Sequence, residues 1–482
     1  MPKAAVDNSQ LSTRVVARLG RRVGPLVVSV VYVGLGLAYV FRWAPVVRHV
    51  PSAWISPGDL SATYRATSAL AHGHFGSIYS NSSVLTFPGI LILLAPLGAL
   101  SNHFDTTFVE IMKNHHPVTQ PAFFVSHTTQ ILVAGPRIST AHIEYAIQPQ
   151  WFAFLEPYVL VLSCTALFAF DALAERLQVP SLRRTMLNVT QAVLLWPVIV
   201  IFGHPEDAVA IALAVYALVF AFDDRFTWAG WLFGAAFAVQ PLVVVLFPLF
   251  LVMGGRRRAP ALVAQGVLPA LVVTVGPVAT NFHQTLHNVV NQPAYSDISG
   301  THQTPWTFLA PRLGGRGSNE TVGGGPVRLA TLVLAAGLGW WARRWKDKPE
   351  MLAWAAALAL ALRTYTESVM TAYYVWPALA VGMVVAARGS RRRFGISIAV
   401  AVLTTIVAEW HLGVYPWWLL VAAGVTAVLM AAARPEAPVP APVKAPRERA
   451  RASAPTQRRP GAAASKKKRK PSGRSRSGAG RR

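Results

Sequence analysis

Cysteine is nearly absent from this 482-residue chain: Cys164 is the single one. No disulfide framework is possible within one chain, and Cys164 sits in an apolar run, so it reads as an inert core residue. Charge is also scarce, at 13% of residues, and acids are outnumbered by bases, 20 to 45. No Walker motif, G-x-S-x-G elbow, H-E-x-x-H helix or dinucleotide fingerprint occurs. Those absences argue against ATP-driven transport and the commonest hydrolase chemistries. No fixed-period repeat is visible, which removes support from repeat-built transporter architectures.

Hydrophobic residues are abundant, at 53%. No ordinary soluble domain has that balance. Apolar runs recur almost to the C-terminus, so the chain is expected to be an all-α, polytopic membrane protein. About 10 spanning helices are expected, at 24–41, 151–171, 187–203, 207–222, 260–279, 327–342, 350–364, 372–387, 395–410 and 417–432. The first follows Arg14, Arg18, Arg21 and Arg22. It is too long for a signal peptide, lacks an A-x-A-like site and reads as a retained anchor. Segment 89–100 is too short to span and carries Pro96, so it is predicted to be interfacial or re-entrant. Segment 226–253 is broken at Gln240-Pro241 with charge at both ends. It is predicted to be a short hairpin that dips in and returns.

Lys and Arg crowd cytoplasmic loops in membrane proteins. Clusters at 14–22, 176–184, 256–258, 343–348, 388–393 and in the tail can all lie on one side. Connections 203–207, 364–371 and 411–416 contain neither residue and can lie on the other. Both termini are then cytoplasmic. Three parts are expected: a cytoplasmic segment 1–23, a transmembrane domain 24–432 with large outer loops 42–150 and 281–326, and a disordered basic tail 433–482. The tail's Pro/Ala/Ser/Lys/Arg composition cannot bury enough apolar surface to fold. Beside a bilayer, its basic run 466–470 points to anionic lipid headgroups rather than nucleic acid. The plainer reading is a solvated tail that helps set topology.

Asp59 stands where the chain leaves the first helix and its flank. An ionised carboxylate in hydrocarbon costs several kcal/mol, so it must be solvated, paired or functional. It is placed either to take a proton or to cap the helix that starts at Leu60-Ser61-Ala62. Gly203-His204-Pro205-Glu206-Asp207 packs ionisable groups into a tight turn between apolar helices. That is a functional-site hypothesis, against a solvated turn with Glu206 or Asp207 capping the next helix. The spacing is unlike usual metal ligation, and no metal or cofactor is expected.

Arg363 and Glu367 stand four apart and are predicted to share a helix face and pair. Arg363 also offers a planar fork to a lipid phosphate. Near it are Tyr373 and Tyr374. The second outer loop offers His302, Gln303 and Trp306, suited to stacking on and hydrogen bonding to sugars, although an interfacial Trp also serves as a membrane-belt residue. His115, His116 and His127 have no ligand-like pattern and read as solvated. Segment 314–325 is glycine-rich and reads as a flexible linker.

Residues 58–100 resemble the opening signature of glycosyltransferase family 87. That family is a branch of the polyprenyl-phosphate-sugar-dependent membrane enzymes of the GT-C superfamily. The resemblance rests on Asp59, Tyr64, Ala66, Ala69-Leu70, Gly73, Tyr79, Thr86-Phe87-Pro88-Gly89 and Ala95-Pro96-Leu97. Gly89 replaces the second Pro of the family pattern. Gln240-Pro241 and 302–312 carry it more loosely. Tyr373-Tyr374 stand where the family shows His near the donor phosphate.

The resemblance implies an inverting glycosyltransferase with Asp59 as base. It would move a sugar, mannose by analogy, from a polyprenyl-phosphate donor to an envelope glycolipid or glycan at the outer face. Arg65 or Arg363 would contact the phosphate, with Tyr64, His204, Glu206, Asp207, His302, Gln303, Trp306, Glu367, Tyr373 and Tyr374 around donor or acceptor. Ala-, Arg- and Gly-rich usage points to a GC-rich actinobacterium. The rival reading is a lipid or solute transporter that couples through Glu206, Asp207, Arg363 and Glu367.

Overall fold

The computed structural model describes residues 22–43, 58–80, 84, 86–100, 108–113, 116–121, 126–132, 138–144, 152–291, 293–295, 303–312, 320–323, 325–410 and 413–433. The tail 434–482, the N-terminal segment up to residue 21, His302 and most of the linker lie outside them. So do the side chains of Asp59, Arg65 and His127.

The described residues are mostly helical, and helices cover the predicted spans, although Ser181–Trp196 and Phe247–Thr280 begin well before the expected residues 187 and 260. Six stretches are long and apolar enough to cross a membrane: Val23–Phe41, Phe154–Arg176, Ser181–Ile201, Pro205–Phe222, Pro241–Thr280 and Val414–Ala432. Other predicted spans are shorter or more charged. Pro326–Ala342 carries Arg328, Pro349–Thr366 carries Glu350 and Arg363, and Arg391–Glu409 opens on three arginines.

The all-α expectation needs one correction. Short antiparallel ribbons pair Phe108–Lys113 with His116–Pro121, Ser126–Leu132 with Ile138–Glu144, and Pro293–Tyr295 with Glu320–Val322. The first four strands are rich in Val, Ile, Thr and Phe, which suit a pleated strand better than a helix.

The predicted break in 226–253 is present. Helix Phe226–Val239 ends at Gln240, whose backbone is extended at φ −147°, ψ 114°. A 3-10 stretch, Pro241–Leu246, leads into Phe247–Thr280. Pro241 lacks an N–H and disfavours helical geometry at the preceding residue. A second break falls at Gly255, φ 71° and ψ 173°, just before the Arg256–258 run. Only glycine adopts that φ at no steric cost.

Salt bridges and hydrogen bonds gather several basic clusters at one end of the bundle. Arg176 pairs with Asp223 at 2.6 Å, and Arg388 with Glu350 at 3.4 Å. Arg183 donates to the Ala387 carbonyl at 2.9 Å, at the C-terminus of helix Trp376–Ala386. Asp171, 1% exposed, is held by both Arg22 and Arg184, the latter at 2.6 Å. The same two arginines reach Glu175, at 2.7 Å and 3.8 Å. This knot ties the first helix to helices Thr165–Arg176 and Ser181–Trp196. These contacts bring residues 176–184 together with 387–389.

Candidate active site

At the opposite end the chain builds a buried polar cluster. A π-helical turn, Pro197–Ile201, precedes it; such turns recur at functional sites. Gly203, φ 76°, then turns the chain in the left-handed region. His204 is the N-cap residue of helix Pro205–Phe222 and makes no side-chain cap bond. Glu206 and Asp207 fall in the first turn, where the helix dipole favours negative charge.

Their side chains do more than fill a solvated turn. Glu206 is 1% and Asp207 3% exposed. The His204 Nδ1 lies 2.6 Å from Glu206 Oε1 and donates to it when Glu206 is ionised. Gln240 Nε2 donates to Asp207 Oδ1 at 2.9 Å. The helix break thus delivers an amide to the acid. His204 also stacks on Tyr373, 4.3 Å between ring centroids. Among the described residues no group of three or more His, Cys, Asp or Glu is placed to hold a metal ion.

The predicted Arg363–Glu367 pair forms, at 3.0 Å. Glu367 lies just beyond helix Pro349–Thr366 in extended backbone, so helix geometry alone does not make the pair. The Arg363 guanidinium also lies over the Tyr374 ring, 3.3 Å from its centroid. Arg328, which the sequence reading did not single out, donates from Nη2 to Glu367 Oε2 at 3.1 Å. The signal for it was a lone arginine in the first turn of an apolar helix.

A cavity of about 210 Å³ opens among these groups, lined by Phe87, Gln240, Arg328, Arg363, Glu367 and Tyr374 with apolar neighbours. Loop 303–309 is stapled to the segment that carries Glu367. Trp306 Nε1 donates to the Tyr365 carbonyl at 2.7 Å, and Thr304 Oγ1 to the Glu367 carbonyl at 2.7 Å. Gln303 bridges Val369. Trp306, 36% exposed, therefore spends its indole N–H on holding the loop.

The segment resembling the family signature supplies one wall. Phe87 lines the cavity and packs edge-on against Phe237. The Tyr79 phenol, raised by burial above its ordinary pKa, donates to the Thr86 carbonyl at 2.7 Å and fixes the approach to Phe87. A Cβ on Gly89 would meet the Ala238 carbonyl oxygen at 2.4 Å. That contact leaves no room for a side chain at residue 89. Gly89→Ala is expected to cost about 1–3 kcal/mol of stability by overpacking, read as a lowered unfolding midpoint in detergent. An unchanged midpoint would show that the two segments do not meet this closely.

The structure thus brings together His204, Glu206, Asp207, Arg363, Glu367, Tyr373 and Tyr374, with Gln303 and Trp306 at the margin. Tyr64 is buried in the hydrophobic core and does not line the cavity. Asp59 falls in the first turn of helix Gly58–Ala71, which packs on Gly89–Leu100.

A family model, glycosyltransferase family 87, matches residues 145–371. The match spans His204, Glu206, Asp207, Gln240, Arg328, Arg363 and Glu367, and leaves Asp59 outside. No curated protein matches the chain, and no solved structure does.

Proposed function

We propose that the chain is an integral membrane glycosyltransferase of the GT-C type. It transfers a sugar, mannose by analogy, from a polyprenyl-phosphate donor to a hydroxyl of an envelope glycolipid or glycan. One observation carries the reading most of the way. Two guanidiniums converge on a cavity beside buried carboxylates, inside the segment that matches a glycosyltransferase family.

The chemistry follows from those groups. The acceptor hydroxyl attacks the anomeric carbon on the face opposite the phosphate, giving inversion. The new glycosidic C–O bond forms as the bond from the anomeric carbon to the phosphate oxygen breaks. A carboxylate takes the acceptor proton, and we assign that role to Asp59. The lipid phosphate leaves with the bonding electron pair, and Arg363 stabilises it. Arg363 is suited to this because its Nε is anchored by Glu367 and its plane rests on Tyr374. Its fork then faces an oxyanion with little freedom to lose. Tyr373 and Tyr374 take the place that the family gives to His, so cation–π support replaces an imidazole contact.

The cluster end is proposed to face outside the cell, with both termini cytoplasmic and the basic tail against anionic headgroups. Cysteines placed at Ser61 and Ser318 should react with an impermeant reagent added to intact cells, and one at Ser390 should not. Labelling of position 390 would overturn that topology. The activity itself is tested with purified protein, polyprenyl-phosphate mannose labelled in the sugar, and envelope lipid extract. Label should move into the extract's glycolipid or glycan fraction. Label that stays wholly on the donor lipid would contradict the reading.

A further inference from the structure

The cavity wall has a distinctive charge. Its charged lining groups are Arg328, Arg363 and Glu367, so the wall is net positive by one. The carboxylate is well held. Arg363 Nε is 3.0 Å and Arg328 Nε 3.3 Å from Oε1, with Arg328 Nη2 3.1 Å from Oε2. Glu367 itself is 3% exposed. The Arg363 Nη groups have no hydrogen-bond partner among the described residues and remain available to a ligand. Asp207 adds a more distant negative charge from behind Gln240 and acts in the same direction.

A glycosyl transfer from a lipid phosphate changes the charge of the phosphate it handles. The donor is a phosphodiester with one negative charge. The leaving group is a phosphomonoester, whose second proton is lost with a pKa of about 6, so at neutral pH it carries nearly two. Two guanidiniums alone would hold that product more tightly than the donor. One carboxylate between them halves the net positive charge and so weakens that preference.

We propose that Glu367 is a charge-setting residue. Bracketed by Arg328 and Arg363, it lowers the positive charge that meets the lipid phosphate, which limits the hold on the dianionic monoester relative to the monoanionic phosphodiester and speeds product release. This rests on the donor reading above. Arg328 is in this account a second arm of the anion site.

The test uses the full-length protein and two short probes at pH 8, methyl farnesyl phosphate as the diester and farnesyl phosphate as the monoester. Calorimetric titration gives both affinities. Wild type should bind the two with only a modest preference for the monoester. In Glu367→Gln the diester-to-monoester preference should fall by roughly 10- to 100-fold, the size of one unit-charge interaction across several ångströms of partly buried site. Turnover should then show stronger inhibition by farnesyl phosphate. Arg328→Gln keeps the Arg363–Glu367 pair and should shift the preference the other way, with the monoester losing more. Equal weakening of both probes in Glu367→Gln would overturn the proposal, because Glu367 would then only orient the arginines. An unchanged preference in Arg328→Gln would overturn it independently, should the Glu367 variant fail to fold. A wild type that binds neither probe would overturn the donor reading itself, and this proposal with it.

Discussion

Asp59→Asn is expected to lower turnover by about 10²–10⁴-fold, the usual contribution of a positioned general base. Asparagine keeps the size of the side chain and still accepts a hydrogen bond at a helix N-terminus, so any role in holding helix Gly58–Ala71 should largely survive. What it loses is the ability to take a proton. Donor affinity should change little, because in the proposed reaction the base meets the acceptor hydroxyl and the arginines meet the phosphate. Turnover and donor affinity, both measured on purified protein, decide the matter. Near-normal turnover would remove Asp59 from the reaction. The His204–Glu206 pair and Asp207 would then be the groups to examine, since they are the titratable side chains held together in the cluster, with both carboxylates buried.

The second large effect lies at the other end of the bundle. Asp171→Ala should destabilise the fold by about 3–5 kcal/mol, the range for removing one partner of a buried ion pair. Asp171 is almost fully enclosed, and Arg22, Arg184 and Asn188 all direct donors at it. Its loss leaves Arg184, itself only 14% exposed, short of its closest counter-charge. Denaturant titration in detergent reads the change. The double variant Asp171→Ala/Arg184→Leu should recover part of it, because the stranded charge is then gone as well. A single variant as stable as wild type would show that Glu175 alone suffices for both arginines.

Much of the architecture is legible in the sequence because apolar length and charge placement report directly on helices. The break at Gln240-Pro241 is read from proline chemistry, and the Arg363–Glu367 pair from spacing. The pairing survives for a different reason than spacing implies, since Glu367 has already left the helix. Arg328 and Asp171 were not legible. Arg328 is the one charge of helix Pro326–Ala342 and Asp171 follows an apolar run in Thr165–Arg176, and only tertiary packing shows that one meets Glu367 and the other two arginines. The ribbons in the first large loop were missed because loop composition masks short strand alternation. Asp59 was singled out by a resemblance in residues 58–100, whereas the family model matches 145–371. The two signals cover different parts of the chain and concern one proposed site.

In the proposed reaction this cluster breaks the bond between a sugar and a lipid phosphate. Free polyprenyl phosphate is therefore the decisive product. Purified protein incubated with polyprenyl-phosphate mannose and acceptor extract should release it in a one-to-one ratio with sugar transferred, and Arg363→Ala should abolish the release. Donor recovered chemically intact under conditions where the protein is folded and acceptor is present, or release unaffected by Arg363→Ala, would contradict the account.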